Sequence, residues 1–199
     1  MWILAFESSA KAASVAILQD GALLGEYFQN SGQTHSRTLA KMAEDLLANC
    51  DLTVADIDAV AVAAGPGSFT GVRIGVAAAK GLAWARELPC YGVSTLEAMV
   101  RGAAMCDGVY CACMDARRAQ VYNAVFSVED GKLLRLSEDR AISIEELGAE
   151  LKNLEKAIFL VGDGAELCYN TLRVSIPALC LLPEHLRGQH ASGTALAAQ

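Results

Sequence analysis

The sequence predicts an α/β protein of two lobes, and three observations predict it. Short apolar runs of strand length alternate with longer stretches in which apolar residues recur at helical spacing. The order of these elements starts again near residue 105. Finally, 53% hydrophobic against 20% charged residues over 199 positions is enough to bury a substantial core. The expected lobes are residues 1–105 and 106–199, the second smaller.

Taken in order, WILAF (Trp2–Phe6), ASVAIL (Ala13–Leu18) and LLGEYF (Leu23–Phe28) read as three adjacent strands. Asp20-Gly21 between the last two has the chemistry of a tight hairpin turn. From His35 to Asn49, Leu39, Met42, Ala43, Leu46 and Leu47 repeat at helical spacing behind a possible N-cap at Thr34. IDAVAVAA (Ile57–Ala64) is a buried strand running into a glycine-rich loop, followed by a helix from about Thr70 to Glu87. A strand at CYGV then meets Ser94-Thr95-Leu96-Glu97, a capping-box pattern that opens a helix to about Ala104. The second half begins with a strand pair, Gly108–Asp115 and Ala119–Val128, and a third strand around Lys132–Leu136. Ser143-Ile144-Glu145-Glu146 repeats the capping pattern, and Lys156–Ala165 reads as strand, turn and helix start.

Charge narrows the function. Sixteen Lys and Arg against 23 Asp and Glu give 16 − 23 = −7, the wrong sign for a chain that grips a nucleic-acid backbone unaided. No uncharged apolar run reaches the roughly 20 residues of a bilayer span, so no membrane partner is expected. Seven scattered cysteines without a preceding secretory signal read as reduced thiols in the cytoplasm. Cys111 and Cys113 lack the further pair that a zinc site needs, and the three histidines form no metal-binding pattern.

The loop Gly65-Pro66-Gly67-Ser68-Phe69-Thr70-Gly71 is the strongest local signal. Its glycines let a strand turn sharply into a helix whose N-terminal amides can receive an anion. It lacks the Lys-Ser/Thr of a Walker loop and the glycine two before Ser68 of a nucleophile elbow. A tight turn without ligand accounts for it equally well. The helix that follows is apolar nearly all round, with a small-residue surface at Gly71, Gly75, Ala78, Ala79 and Ala83. Such a helix is covered either by its own fold or by a second chain at close approach. Two other stretches are open in the same way. Glu7-Ser8-Ser9 is a turn or a phosphate contact, and Asp115-Ala116-Arg117-Arg118 is a polar hairpin tip or a holder of an anion.

AFESSAKAASVAIL, QTHSRTLAKM (Gln33–Met42), GPGSFTGVRIGVAAAKGLA (Gly65–Ala83), GVSTLEAM (Gly92–Met99) and MDARRAQVY (Met114–Tyr122) together resemble the TsaB (YeaZ) family. Beyond Leu136 the resemblance thins, and the family's Pro-x-Tyr-Leu-Arg tail has no counterpart. The resemblance implies an actin-like ATPase (ASKHA) fold of two ribonuclease-H-like lobes, each with a mixed sheet and flanking helices. It implies a non-catalytic scaffold that binds and activates a TsaD-type threonylcarbamoyl transferase, with a TsaE-type ATPase, in N6-threonylcarbamoyladenosine modification of tRNA. Thr95 and Met99 stand where the transferase has its metal-binding histidines, and neither replaces imidazole for a hard metal ion.

The partner contact implied lies on the helices around 35–49 and 70–87, through Leu39, Met42, Ala43, Leu46, Gly71, Arg73, Gly75, Ala78 and Ala79. The chain alone is expected to form a homodimer by a similar surface and to meet tRNA only through its partners. It carries no intrinsic cofactor. ATP or ADP is expected near the contact, with Ser8, Ser9, Gly65, Gly67 and Ser68 as the ligands assigned. An active phosphotransferase of the same fold and a metallopeptidase are the alternatives.

Overall fold

A computed structural model describes residues 1–154 and 156–199. The chain divides into two units, the first formed by residues 1–98 together with 189–199 and the second by residues 99–188. No helix among the described residues is long and apolar enough to cross a membrane.

The first unit is built on a five-stranded sheet. Strands β1 (Trp2–Glu7), β2 (Ala13–Gln19) and β3 (Ala22–Gln29) form an antiparallel meander, and β4 (Ala59–Gly65) and β5 (Cys90–Ser94) add in parallel, in the order β3-β2-β1-β4-β5. Alternation along β1 sends Leu4 and Phe6 to one face and Ile3 and Ala5 to the other. Helices α1 (His35–Asn49) and α2 (Phe69–Arg86) cover the Leu4 face, where Leu39, Met42, Leu46 and Leu47 of α1 are buried. The Asp20-Gly21 turn takes positive φ at both residues, as its composition predicts.

The opposite face is where the structure departs from the expected lobes. Its floor of Ile3, Ala5, Ala16, Leu18, Ala59 and Ala61 is covered by Ala191 and Ala195 of the last helix, α7 in chain order (Ala191–Ala197). Residues 189–199 therefore belong to the first unit and not to a second lobe running to 199. Small residues on both sides let this short helix lie close to the sheet. Its start is held by Glu26 on β3, which accepts hydrogen bonds from the Ser192 amide (2.9 Å), the Ser14 hydroxyl (3.0 Å) and the Ser192 hydroxyl (3.2 Å). His190 lies 3.3 Å from the same carboxylate and stacks on Phe28. It is thus a packed residue, where composition suggests only a polar terminal stretch.

Helix α3 (Thr95–Ala103) starts at the expected cap, with the Glu97 amide donating to the Ser94 hydroxyl at 3.2 Å, and leads into the second unit. There β6 (Gly108–Arg117), β7 (Gln120–Glu129), β8 (Lys132–Arg135), β9 (Arg140–Ser143), β10 (Ile158–Val161) and β11 (Leu179–Leu181) form a sheet of order β11-β10-β6-β7-β8, with β9 also paired to β7. Helices α4 (Ile144–Leu151) and α5 (Ala165–Leu172) bury Leu147, Leu151, Cys168 and Leu172 against Cys111 and Cys113 of β6. The expected capping box at Ser143 and Glu146 is present in both directions. A four-residue helix, α6 (Glu184–Arg187), precedes the return to the first unit.

Burial alone would raise the Glu26 carboxyl, but hydrogen bonds from His190 and the Ser192 amide outweigh it and hold the group below its ordinary range. A depressed carboxylate contributes stability above its unfolded pKa and loses it as pH falls through the folded one. Glu26→Gln is expected to lower the thermal midpoint by several degrees at pH 7, and the gap to the parent should begin to narrow only as pH falls below the ordinary carboxyl range and close below the depressed folded pKa. Removing residues 189–199 uncovers the Ile3 face altogether. Calorimetry of that truncation is expected to show the transition of the first unit lost or strongly broadened.

Candidate functional site

The C-terminal ends of β1 and β4 bring Glu7-Ser8-Ser9 against the glycine loop. The contact is close enough to explain most of the glycines. A Cβ at Gly67 would overlap the carbonyl oxygen of Ser9, one at Gly71 the carbonyl oxygen of Ser8, and one at Gly75 the Ser8 hydroxyl. Gly65 has open space around it but a φ of 116°, which side chains rarely adopt. Hydrogen bonds close the arrangement. The Ser68 amide donates to Ser9 O (2.6 Å), the Ser8 hydroxyl donates to Gly71 O (2.9 Å), and the Ser68 hydroxyl caps α2 by accepting from the Gly71 amide (3.3 Å).

These are the residues assigned to a nucleotide phosphate, and all but Gly65 are engaged within the chain. Ser8 and Ser9 are buried, and the Ser68 and Gly71 amides are taken by Ser9 and Ser68. The space beside Gly67 and Gly71 is filled by backbone. What the loop receives is the β1–β2 turn of its own chain.

Beneath the turn lies Glu7, fully buried, in the stretch whose sequence is open between a turn and a phosphate contact. Its carboxylate accepts the Ser9 amide at 2.6 Å and the Thr194 hydroxyl of α7 at 3.5 Å. Burial pushes this carboxyl above its ordinary range, and the hydrogen bonds from Ser9 and Thr194 only partly oppose the shift. Thr95 is also fully buried and Met99 nearly so. Among the described residues, no three His, Cys, Asp or Glu side chains converge as a metal set would.

The residues assigned to a partner separate into two groups. Leu39, Met42, Ala43 and Leu46 are buried between α1 and its own sheet, and Gly71, Gly75 and Ala79 lie on the inward ridge of α2. The physical reason is the period itself: 71, 75, 79 and 83 follow the i, i+4 row that packs on β1 and β4. Arg73 is exposed, and Ala78 is half-buried in a groove between α1 and α2. This groove, of about 470 Å³, is walled by Ala40, Ala43, Leu47, Ala78 and Leu82. Opposite the small ridge, α2 exposes Phe69 (72%) and Trp84 (87%), with the Arg73 guanidinium 4.1 Å from the centre of the Phe69 ring. The same helical arithmetic applied to the large residues of α2, rather than the small ones, would have found this stripe.

Asp115, Arg117 and Arg118 sit in the second unit, at the exposed tip of the β6–β7 hairpin. His35 instead ties α1 to the β1–β2 turn, with Nε2 2.8 Å from Ala10 O.

Because a raised carboxyl pKa removes stability as pH climbs through it, Glu7 costs the fold most at neutral and alkaline pH. Glu7→Gln can keep the Ser9 contact through its carbonyl oxygen. The variant is expected to match the parent near pH 4 and to melt several degrees higher at pH 8, measured by differential scanning calorimetry.

Comparison with known proteins agrees with this architecture. The family model described as TsaD, tRNA N6-adenosine threonylcarbamoyltransferase, matches residues 26–179. The tRNA threonylcarbamoyladenosine biosynthesis protein TsaB of Bacillus subtilis is 33% identical over 84% of this chain and 73% of its own length. The protein of the same name from Escherichia coli is 36% identical over 82% and 72%. Among solved structures, YeaZ from Pseudomonas aeruginosa superposes with a TM-score of 0.77 at 26% identity, covering 98% of this chain and 90% of that one. Component A of (R)-2-hydroxyglutaryl-CoA dehydratase from Acidaminococcus fermentans, with a TM-score of 0.59 at 13% identity, shares the fold alone and covers 100% and 97%. The expected actin-like ATPase fold of two mixed sheets therefore holds, and the chain belongs to the TsaB (YeaZ) family, within the wider group matched by the TsaD family model.

Proposed function

We propose that this chain is a non-catalytic subunit in tRNA threonylcarbamoyladenosine biosynthesis, which binds a TsaD-type threonylcarbamoyltransferase through the outward faces of α1 and α2 and supports its active arrangement. The observation that carries the reading is the α1–α2 surface. An apolar groove on the α1 side of α2 and, further round the same helix, exposed Phe69, Arg73 and Trp84 offer a pocket for an apolar side chain and the large aromatic and arginine residues that favour interfaces. The absence of chemistry in this chain is supported by its residues: Thr95 and Met99 are poor ligands for a hard metal, and the glycine loop is filled by its own turn.

A TsaE-type ATPase completes the assembly, and the chain alone pairs with a second copy through the same face. ATP or ADP near the contact is then held by groups of the partners. The partners also supply most of the tRNA surface, in keeping with a net charge of −7.

Size-exclusion chromatography with light scattering, on the chain alone and mixed with a TsaD-type transferase of the same organism, tests the reading. Gly75 is unsuitable as a probe because any side chain there strikes Ser8. Ala78→Arg and Trp84→Ala are expected to keep the parent's melting temperature and to weaken the heterodimer about tenfold or more, the usual size of a hot-spot loss. Failure to form a complex with or without nucleotide would overturn it.

A further inference from the structure

The β6–β7 hairpin turns through Arg117, Arg118 and Ala119, whose φ angles are 70°, 54° and 57°. Three successive residues with side chains in the left-handed region crowd each Cβ against the following carbonyl oxygen. The chain has the relaxed solution elsewhere. Its β2–β3 and β7–β8 turns use Asp20-Gly21 and Asp130-Gly131, placing glycine at the second position of positive φ.

The strained tip is held from both sides. The Arg117 amide donates to Asp115 Oδ1 at 2.7 Å and its guanidinium lies 3.6 Å from Oδ2, while the Ile144 amide donates to Ala119 O at 3.1 Å. Between these anchors Arg118 is exposed and, among the described residues, has no hydrogen bond, ion pair or ring contact. Other arginines of the unit are engaged: Arg135 with Asp139, Arg140 with Glu150, Arg187 with Glu166, and Arg173 over Tyr169.

We infer that this tip is a binding element, which offers the Arg118 guanidinium to a phosphate of an RNA backbone. Strain of this kind persists only where the surroundings over-determine it, and it concentrates at sites of contact. A planar guanidinium fork matches the oxygens of a phosphate two at a time. The choice of RNA rests on the tRNA-modifying reading above. In an acidic chain, an uncompensated cation on an exposed tip is the kind of point where a polyanion can touch directly, alongside the larger surface of its partners.

The test compares the parent with Arg118→Gly and Arg118→Lys, each as the full chain. A tRNA transcript is titrated against the isolated chain at about 50 mM salt, and against the complex with the transferase at two salt concentrations. Arg118→Gly relieves the left-handed residue and is expected to melt about 2 °C higher. It should keep partner binding, weaken RNA binding several-fold and reduce the log–log salt slope by about one. Arg118→Lys should keep the slope and lose part of the affinity.

RNA affinity and salt slope unchanged in Arg118→Gly would overturn the inference. So would a parent chain that binds no RNA in either format, or a loss confined to partner binding, which would make the tip a protein contact. Because the isolated chain is titrated without its partner, failure of the complex to form removes the earlier reading and leaves this test standing.

Discussion

The first unit depends on the contact between the β1–β2 turn and the start of α2. The carbonyl oxygens of Ser8 and Ser9 lie where side chains at Gly71 and Gly67 would have to be, and the Ser8 hydroxyl reaches the backbone of the helix. Glycine at these positions lets α2 approach β1 closely. With its inward ridge seated there, the helix has no freedom to rotate, and its opposite side must carry Phe69, Arg73 and Trp84 outward. The exposed stripe is in this sense a by-product of the buried one. A side chain at Gly71 would disturb both.

The two faces of the same sheet are covered by different means. Leucine, methionine and phenylalanine fill the space under α1 and α2, where hydrophobic burial supplies the stabilisation. Under α7 the sheet is lined largely by alanine, and little area is available. There the helix is held by polar contacts, Glu26 and Ser14 around its start and Thr194 over Glu7 at its middle. A carboxylate with several hydrogen bonds is a good anchor. A fully buried one, whose desolvation outweighs its hydrogen bonds, is a liability, and α7 contacts one of each in Glu26 and Glu7.

Much of the fold was legible in the sequence because its elements announce themselves by period and by punctuation. The meander, the strand into the glycine loop, α1, α2, the Ser94 cap and the Ser143 capping box all fall where Asp-Gly turns, Ser-x-x-Glu patterns and helical spacing put them. Strands β9 and β11, with four and three residues, are too short to carry a period. Helix α7 is built from Ala, Ser, Gly and Thr with a single leucine, so its inward face has no hydrophobic stripe to find.

The site was legible only by half. Close approach of a phosphate and close approach of a carbonyl oxygen demand the same glycines, and spacing does not separate them. Likewise an i, i+4 row of small residues marks a close helix contact without saying whether the neighbour is the same chain. Glu7 offered no signal at all, since its burial is created by residues nearly the whole length of the chain away.

The return of the chain to its first sheet also sets an order of events during synthesis. Residues 1–98 emerge first, yet the layer that covers Ile3 and Leu18 is made only after the entire second unit. At ribosomal rates of roughly 5–20 residues per second, that face stays open for on the order of 5–20 s. The second unit has both its ends only for the last eleven residues of this interval, so the open face of the first unit waits for nearly all of its neighbour to be made. The nascent first unit is therefore a half-sheet with one side exposed, protected by little except the smallness of the alanines that line it.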